Sequence, residues 1–363
     1  MPAREGQEGG IRHLAVLGRE PRPAGSAAED AARDYAARVL DEAGFTVTRE
    51  RFGYSRFPGR YATPIGGALL AASVLLSAAF GLAGAAGAAL AVLLVGGVLV
   101  GAFASAMLGD AVLTLPWERA SSENLVATWG SETPRVWLVA HLDSKSQPVP
   151  SLMRVAGILL LASATGMALA ASVLQLAALP HRMAWWAAGA VVLLGAPAVV
   201  ASVVGTRSPG AVDNASGVAA VLAAAVSVGA ETMLGVLLSS AEEWGLAGAR
   251  AWARTARRGT ALNCDGVDDA GELTIMYSGA APTPLIQTLR SLAPQSRVRR
   301  LPLGLLTDSV ALAERGWTTV TVSRGSLATL RRIHTPADSL AALRGDGIDD
   351  VATLLARAVE ALA

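Results

Sequence analysis

The chain has 363 residues and a formal net charge of +1, and no Lys/Arg-dense patch points to a nucleic-acid partner. With 52% hydrophobic and 16% charged residues and a mean hydropathy of +0.44, it is too apolar for an ordinary soluble protein. The lone Cys264 excludes an internal disulfide and favours a reducing compartment.

The first 60 residues are polar and lack the apolar core of a signal peptide, so none is expected. Residues 27–43 have helical spacing with acidic residues near the start and Gly44 as a stop. Residues 45–52 alternate like a half-buried strand. From Tyr61 to Gly109 there is no charged residue. A stretch of about 50 residues exceeds the roughly 20 needed to cross a bilayer, which predicts two crossings joined by a turn near Gly81–Gly87. Two predicted strands follow, 124–129 and 135–140. The short turn Gly130-Ser131-Glu132-Thr133-Pro134 between them suggests a hairpin. A second apolar block, from about Ala156 to Thr206, is split by Pro180-His181-Arg182 into predicted spans 155–177 and 184–204. The competing reading of both blocks is a set of buried core helices. Beyond them, strands are predicted at 233–239, 261–264, 272–277 and 318–323, and helices at 214–229, 245–258, 282–292, 307–315 and 347–362.

Strands alternating with helices predict an α/β fold with a mostly parallel central sheet flanked by helices. Two transmembrane α-helical hairpins, 61–115 and 153–205, interrupt it. Residues 1–60, 116–152 and 206–363 then form one domain, because an even number of crossings returns each piece to the same side. Arg51, Arg56, Arg60, Arg119, Lys145, Arg154 and Arg207 flank the spans on that side, against only Arg182 and His181 at the tips. By the positive-inside rule a chain with these four spans is expected to be an integral membrane protein with its polar domain in the cytoplasm.

Five segments end apolar runs with metal-binding residue types: His141-Leu142-Asp143-Ser144, Asp213-Asn214-Ala215-Ser216-Gly217, Glu242-Glu243, Asn263-Cys264-Asp265 and Ile333-His334-Thr335-Pro336. Two histidines, three candidate carboxylate ligands and a spare glutamate are what a pair of zinc ions and a general base require. His141 ends a buried strand, where open α/β sheets place ligands, although a core histidine reads the same way. Asp143 either orients its ring or sits in a turn. Asp213 stands before an Ala/Val-rich helix, either as a helix cap or as a carboxylate able to serve two cations. Glu242-Glu243 is costly after a buried strand unless cations are near; a solvated loop start is the alternative. His13 reads as an exposed helical position, His181 as a membrane-interface one, and Cys264 as a small buried residue. No phosphate loop, Gly-x-Ser-x-Gly elbow or His-Glu-x-x-His helix is present, and the predicted spans carry essentially no ionisable groups.

In this order the motifs resemble the co-catalytic two-zinc aminopeptidases that include bacterial leucyl aminopeptidase and aminopeptidase Y. Gly25-Ser26, the block Ala211–Gly217 and the block Ala241–Gly248 are the most specific stretches. The resemblance implies a zinc exopeptidase-like fold and peptide substrates. It implies Asp213 bridging two zinc ions, His141 and Asp265 completing one site, and Glu243 and His334 completing the other. Glu242 would be the general base acting on metal-activated water, with Asp143 supporting His141 and Asp308 in a supporting role near the substrate. Cobalt or manganese could occupy similar ligands. A related hydrolase or cyclase, or a non-catalytic membrane receptor or scaffold, remains as an alternative. The sequence leaves the oligomeric state open. Because the second insertion falls between His141 and Asp213, the active-site face is expected against the membrane surface.

Overall fold

The computed structural model describes residues 9–130, 133–179, 181–228, 232–302 and 304–362. The chain opens with α1 (Gly9–Leu17) and α2 (Ala27–Glu42), where the Ser26 hydroxyl accepts from the Glu29 amide and satisfies one of the free N–H groups that begin every helix. Then come β1 (Thr46–Ser55), α3 (Phe57–Leu82), α4 (Ala86–Met107) and the single turn α5 (Ala111–Thr114). Strands β2 (Arg119–Thr128) and β3 (Val136–His141) precede α6 (Ser151–Leu176), α7 (Arg182–Val200) and α8 (Gly217–Ser227). The remainder is β4 (Leu234–Ser239), α9 (Ala247–Ala253), β5 (Thr260–Val267), β6 (Glu272–Tyr277), α10 (Thr283–Leu292), β7 (Arg297–Arg300), α11 (Asp308–Glu314), β8 (Thr318–Gly325), α12 (Leu327–Arg332) and α13 (Asp346–Leu362).

Two units separate. One comprises Met1–Arg56, Val112–Ser146 and Thr206–Ala363; the other comprises Phe57–Ala111 and Gln147–Gly205. The first is an α/β unit whose eight strands form one sheet in the order β1-β2-β4-β3-β5-β8-β6-β7. Its centre, β4-β3-β5-β8, is parallel, while β1, β2 and β6 join antiparallel. Every residue of β3 and β4 is buried, as expected for parallel strands covered on both faces. Helices α1, α2, α8, α10 and α13 cover one face around Leu138, Leu222 and Leu355; on the other, Trp137, Trp252 and Trp317 stack with Leu312.

The hairpin expected from 124–129 and 135–140 does not form. β4 lies between β2 and β3, antiparallel to the first and parallel to the second. A wholly buried strand such as β4 needs partners on both edges, and a short turn can join strands one place apart; Ser131 and Glu132 of that turn lie outside the described residues. β2 still runs opposite to the central strands. Its first residue, Arg119, pairs with Ser55 at the end of β1, and Leu125 lies opposite Leu238. Both excursions out of the α/β unit, after Arg56 and after Ser146, therefore depart from the end of the sheet that carries the carboxyl ends of its central strands.

The second unit is made of α3, α4, α6 and α7, the four helices long and apolar enough to cross a membrane among the described residues. Its interior is built from small side chains, including Ala71, Ala78, Ala89, Ala164 and Ala188 around Trp185. Gly81 allows the Trp185 ring to press onto the α3 backbone: a Cβ there would lie 2.1 Å from the indole. Gln175 fastens this contact, donating to the Gly81 carbonyl and accepting from Trp185 Nε1, both at 3.0 Å. Leu94, Val98, Leu193 and Leu194 point outward and are exposed. Pro180, in the turn between α6 and α7, lies outside the described residues.

Candidate metal centre

The carboxyl ends of β3, β4 and β5, with the turn before α8 and the loop after α12, bring together the residues singled out in the sequence. His141 is the last residue of β3, and its ring faces Asp213 (Nε2–Oδ1 3.2 Å) and Asp265 (Nε2–Oδ1 3.7 Å). His334 Nε2 lies 2.8 Å from the other oxygen of Asp213 and 3.5 Å from Glu243 Oε1. Asp213 is not a helix cap: it lies in an irregular turn, Ala211–Ser216, ahead of α8, and its carboxylate presents one oxygen to each imidazole. Two groups of ligand atoms result, His141 with Glu242 and Asp265, and Asp213 with Glu243 and His334, the atoms of each within 4.8 Å of one another. Glu243 Oε1 is buried without a hydrogen bond, as a metal ligand would be. Mixed imidazole and carboxylate donors at this spacing fit zinc.

The backbone around these ligands is held in costly conformations. Ala241 (φ 56°), Leu246 (φ 64°) and His334 (φ 63°) are left-handed, at about 1–3 kcal/mol each, which packing elsewhere must offset. Gly248 lets the turn after β4 close, since a Cβ there would meet the Ser240 carbonyl at 2.3 Å. Asp143 acts on both sides of the site. Its main-chain carbonyl is the nearest acceptor for His141 Nδ1 at 3.0 Å, with carboxylate Oδ1 farther off at 3.6 Å. The carboxylate instead accepts from the amides of Glu242 (3.1 Å) and Glu243 (3.3 Å), fixing the turn that aims both glutamates.

Electrostatics show the site's demand for cations. Burial opposes charge on His141, but Glu242 opposite it and hydrogen bonds to Asp143, Asp213 and Asp265 outweigh burial and hold its pKa well above the imidazole range. Burial likewise works to raise Asp213, yet both imidazoles hold its carboxyl well below the carboxylate range. Glu242 is pushed well above that range, first by burial and then by Glu243, Asp265 and Asp308, against the pull of His141. Asp308, which accepts from the Ser239 hydroxyl, is pushed up to about 7, chiefly by burial. A carboxyl so raised is poised to carry a proton near neutral pH.

Several contributors were not visible in the sequence. Lys145, 16% exposed, pairs its ammonium with Glu243. Asp338 accepts from the amides of Val212 (2.7 Å) and Asp213 (3.2 Å), and burial pushes it up to about 6. Glu29 is buried with Arg33 (2.8 Å) and accepts from Ser240, the residue before the strained Ala241. Only the four-residue spacing from His334 to Asp338 offered a signal. His13 is half-buried rather than exposed: its ring meets Tyr35 Oη at 2.8 Å, and burial lowers its pKa to about 4. Cys264 is buried, as expected, and only its main-chain carbonyl is used, by Asn214.

A helix-flanked sheet with paired imidazole and carboxylate donors at the carboxyl ends of its strands defines a metal-dependent hydrolase. The chain belongs to Peptidase family M28, whose profile matches residues 124–359, and is a zinc metallopeptidase. Its structure is similar to an aminopeptidase from Aneurinibacillus sp. strain AM-1, with a TM-score of 0.57 at 16% identity over 98% of this chain and 94% of that one. It is equally similar to a zinc aminopeptidase from Bacillus subtilis, with a TM-score of 0.57 at 15% identity over 98% and 95%. A Porphyromonas gingivalis glutaminyl cyclase shares the fold with a TM-score of 0.53 at 13% identity over 99% and 97%. No curated protein matches by sequence.

Proposed function

We propose that the chain is a membrane-integrated zinc exopeptidase that removes residues from peptide N-termini. The observation that carries this reading is the Asp213 carboxylate, which offers one oxygen to each of the two histidine-containing ligand groups. Asp213 would be shared between two ions, with His141 and Asp265 holding one and Glu243 and His334 the other. Bound zinc supplies Lewis acidity and lowers the pKa of water. Glu242, on the same turn but with a raised pKa, would take the water's proton and return it to the leaving amine. Asp143 would keep Glu242 aimed through its amide and His141 oriented through its carbonyl. Cobalt or manganese would suit the same donors.

Membrane integration rests on the four apolar helices. At 1.5 Å per residue even α7, with 19 residues, reaches about 28 Å, close to the thickness of a bilayer core. The flanking arginines support a cytoplasmic catalytic unit. Attachment of both excursions at the catalytic end of the sheet supports a site approached from the bilayer surface. A cysteine placed at exposed Leu327, just before His334, would then react poorly with bulky reagents in intact membranes. Free labelling there would end this part of the reading.

The deciding experiment measures zinc content and release of N-terminal residues from a peptide panel by purified wild type and Glu242→Gln. Zinc in both, with release only by the wild type, supports the exopeptidase. The glutaminyl cyclase of the same fold makes cyclisation the second reading; zinc-bound protein that cyclises N-terminal glutamine but releases no residue would favour it.

A further inference from the structure

His141 and Asp213 meet at 3.2 Å, yet the chain between them leaves the α/β unit entirely through α6 and α7. Nothing local to either segment sets their separation. Asp338 and Cys264 hold the Asp213 turn from one side, and the contacts that span both ends of the excursion converge on Arg22, in the loop between α1 and α2. Arg22 is 2% exposed, and among the described residues its guanidinium donates to main-chain carbonyls. Nε reaches Leu142 (2.9 Å), the residue after His141; Nη1 reaches Pro209 (2.8 Å), Leu17 and, more weakly, Glu20 (3.4 Å); Nη2 reaches Gly210 (3.1 Å), three residues before Asp213. One rigid planar fork thus ties the exit of the excursion to its return. The backbone of Arg22 repeats the tie: its amide donates to Ser144 Oγ (2.9 Å) and its carbonyl accepts from the Ser144 amide (2.9 Å), while Ser144 Oγ donates to the Ser208 carbonyl (3.0 Å). A final rung runs from the Arg207 amide to Ser146 Oγ at 2.8 Å.

We infer that Arg22 is a positioning residue of the metal centre, clasping the two ends of the α6–α7 excursion so that His141 and Asp213 keep ligand geometry. A buried arginine without a hydrogen-bonded carboxylate is costly unless acidic groups lie close. Here Asp143, Asp338, Glu29 and Asp213 supply that field, so the same acidic cluster that attracts metal also retains the clasp. Lysine cannot replace it: one ammonium has no fork with which to hold Leu142 and Gly210 together.

The inference rests on the metal reading above, and the test separates the two. Zinc affinity of the full chain in detergent would be measured by chelator competition for wild type, Arg22→Lys, Arg22→Gln and Ser144→Ala, with circular dichroism confirming the fold. Loss of partners that orient metal ligands lowers affinity by about 10–100-fold, and folded Arg22→Lys and Arg22→Gln should show a loss of that size. Ser144→Ala, which removes two rungs at little cost in volume, should show a smaller loss in the same direction. Wild-type affinity in a folded Arg22→Lys would overturn the positioning role and leave a charge effect alone. If both arginine variants fail to fold, wild-type affinity in Ser144→Ala would overturn it. Absence of zinc from the wild type would instead sink the metal reading itself.

Discussion

In the α/β unit Arg22, Glu29, Asp143, Asp308 and Asp338 are enclosed, each tied to backbone amides, carbonyls or hydroxyls. In the α3-α4-α6-α7 unit no charged side chain is buried among the described residues, and alanine, glycine and serine share the interior with valine, leucine and Trp185. The outer surfaces reverse in the same way, with Leu94, Val98 and Leu194 exposed on the helices. A buried charge is tolerable where chemistry needs it and a network can hold it. The four apolar helices associate instead by close backbone approach and a few hydrogen bonds such as those of Gln175. The two units thus bury opposite kinds of residue, and substitutions in each should fail in different ways.

The largest effect belongs to the acidic unit. With Glu242 as the proposed proton acceptor, Glu242→Gln should lower the rate of peptide hydrolysis by about 10²–10⁴-fold with zinc content unchanged; loss of zinc would make Glu242 a ligand of the His141–Asp265 group instead. Steady-state kinetics with metal analysis would check both halves. Asp213→Ala should instead lose metal as well as activity, since its two oxygens face both histidines. Retention of two zinc ions by that variant would break the shared-ligand reading.

In the helical unit, Gly81→Val should disrupt packing rather than chemistry. The added side chain meets the Trp185 ring, and overpacking of this kind costs about 1–3 kcal/mol. A lowered thermal midpoint in detergent with zinc affinity intact is expected. Smaller still is Lys145→Met. Its ammonium shares Glu243 with any metal, so its loss should tighten zinc binding a few-fold at the Glu243–His334 group, as read by chelator competition. Weaker binding would show that Lys145 positions Glu243 instead.

The last effect is one of pH and bears on stability alone. His13 has a folded pKa of about 4, below its usual 6.5, so the unfolded chain binds more protons between those values. Stability should therefore fall as pH drops from 6.5 toward 4. His13→Phe should flatten that part of a denaturation-midpoint profile; an unchanged slope would assign it to other groups.

The candidate ligands were legible because each closes an apolar run, where polar residues stand out; in the structure His141 and Asp265 lie on strands, whereas Asp213 and His334 lie in loops. Gly44 and the acidic first turn marked α2 for the same local reason. What the sequence concealed was neighbourhood. The 124–129 and 135–140 strands are real, but period-2 alternation does not say which strand lies beside which, and β4 takes the place between them. Arg297-Val298-Arg299-Arg300 looks like loop, yet it pairs along the free edge of β6. Arg22 gave no signal, because the carbonyls of Leu142, Pro209 and Gly210 that it ties together lie more than a hundred residues away.

The direction of the central strands has a practical corollary at the other end of the sheet. Chain segments that enter β5 and β8, Arg254–Gly259 and Arg315–Trp317, gather at the amino ends of those strands, away from the end where the candidate ligands and the clasp lie and the chain departs into the apolar helices. An epitope inserted between Arg257 and Arg258 would therefore leave the centre assembled. Antibody access to it in sealed cells, before and after permeabilisation, would report which compartment the peptidase serves from an enzyme still able to work.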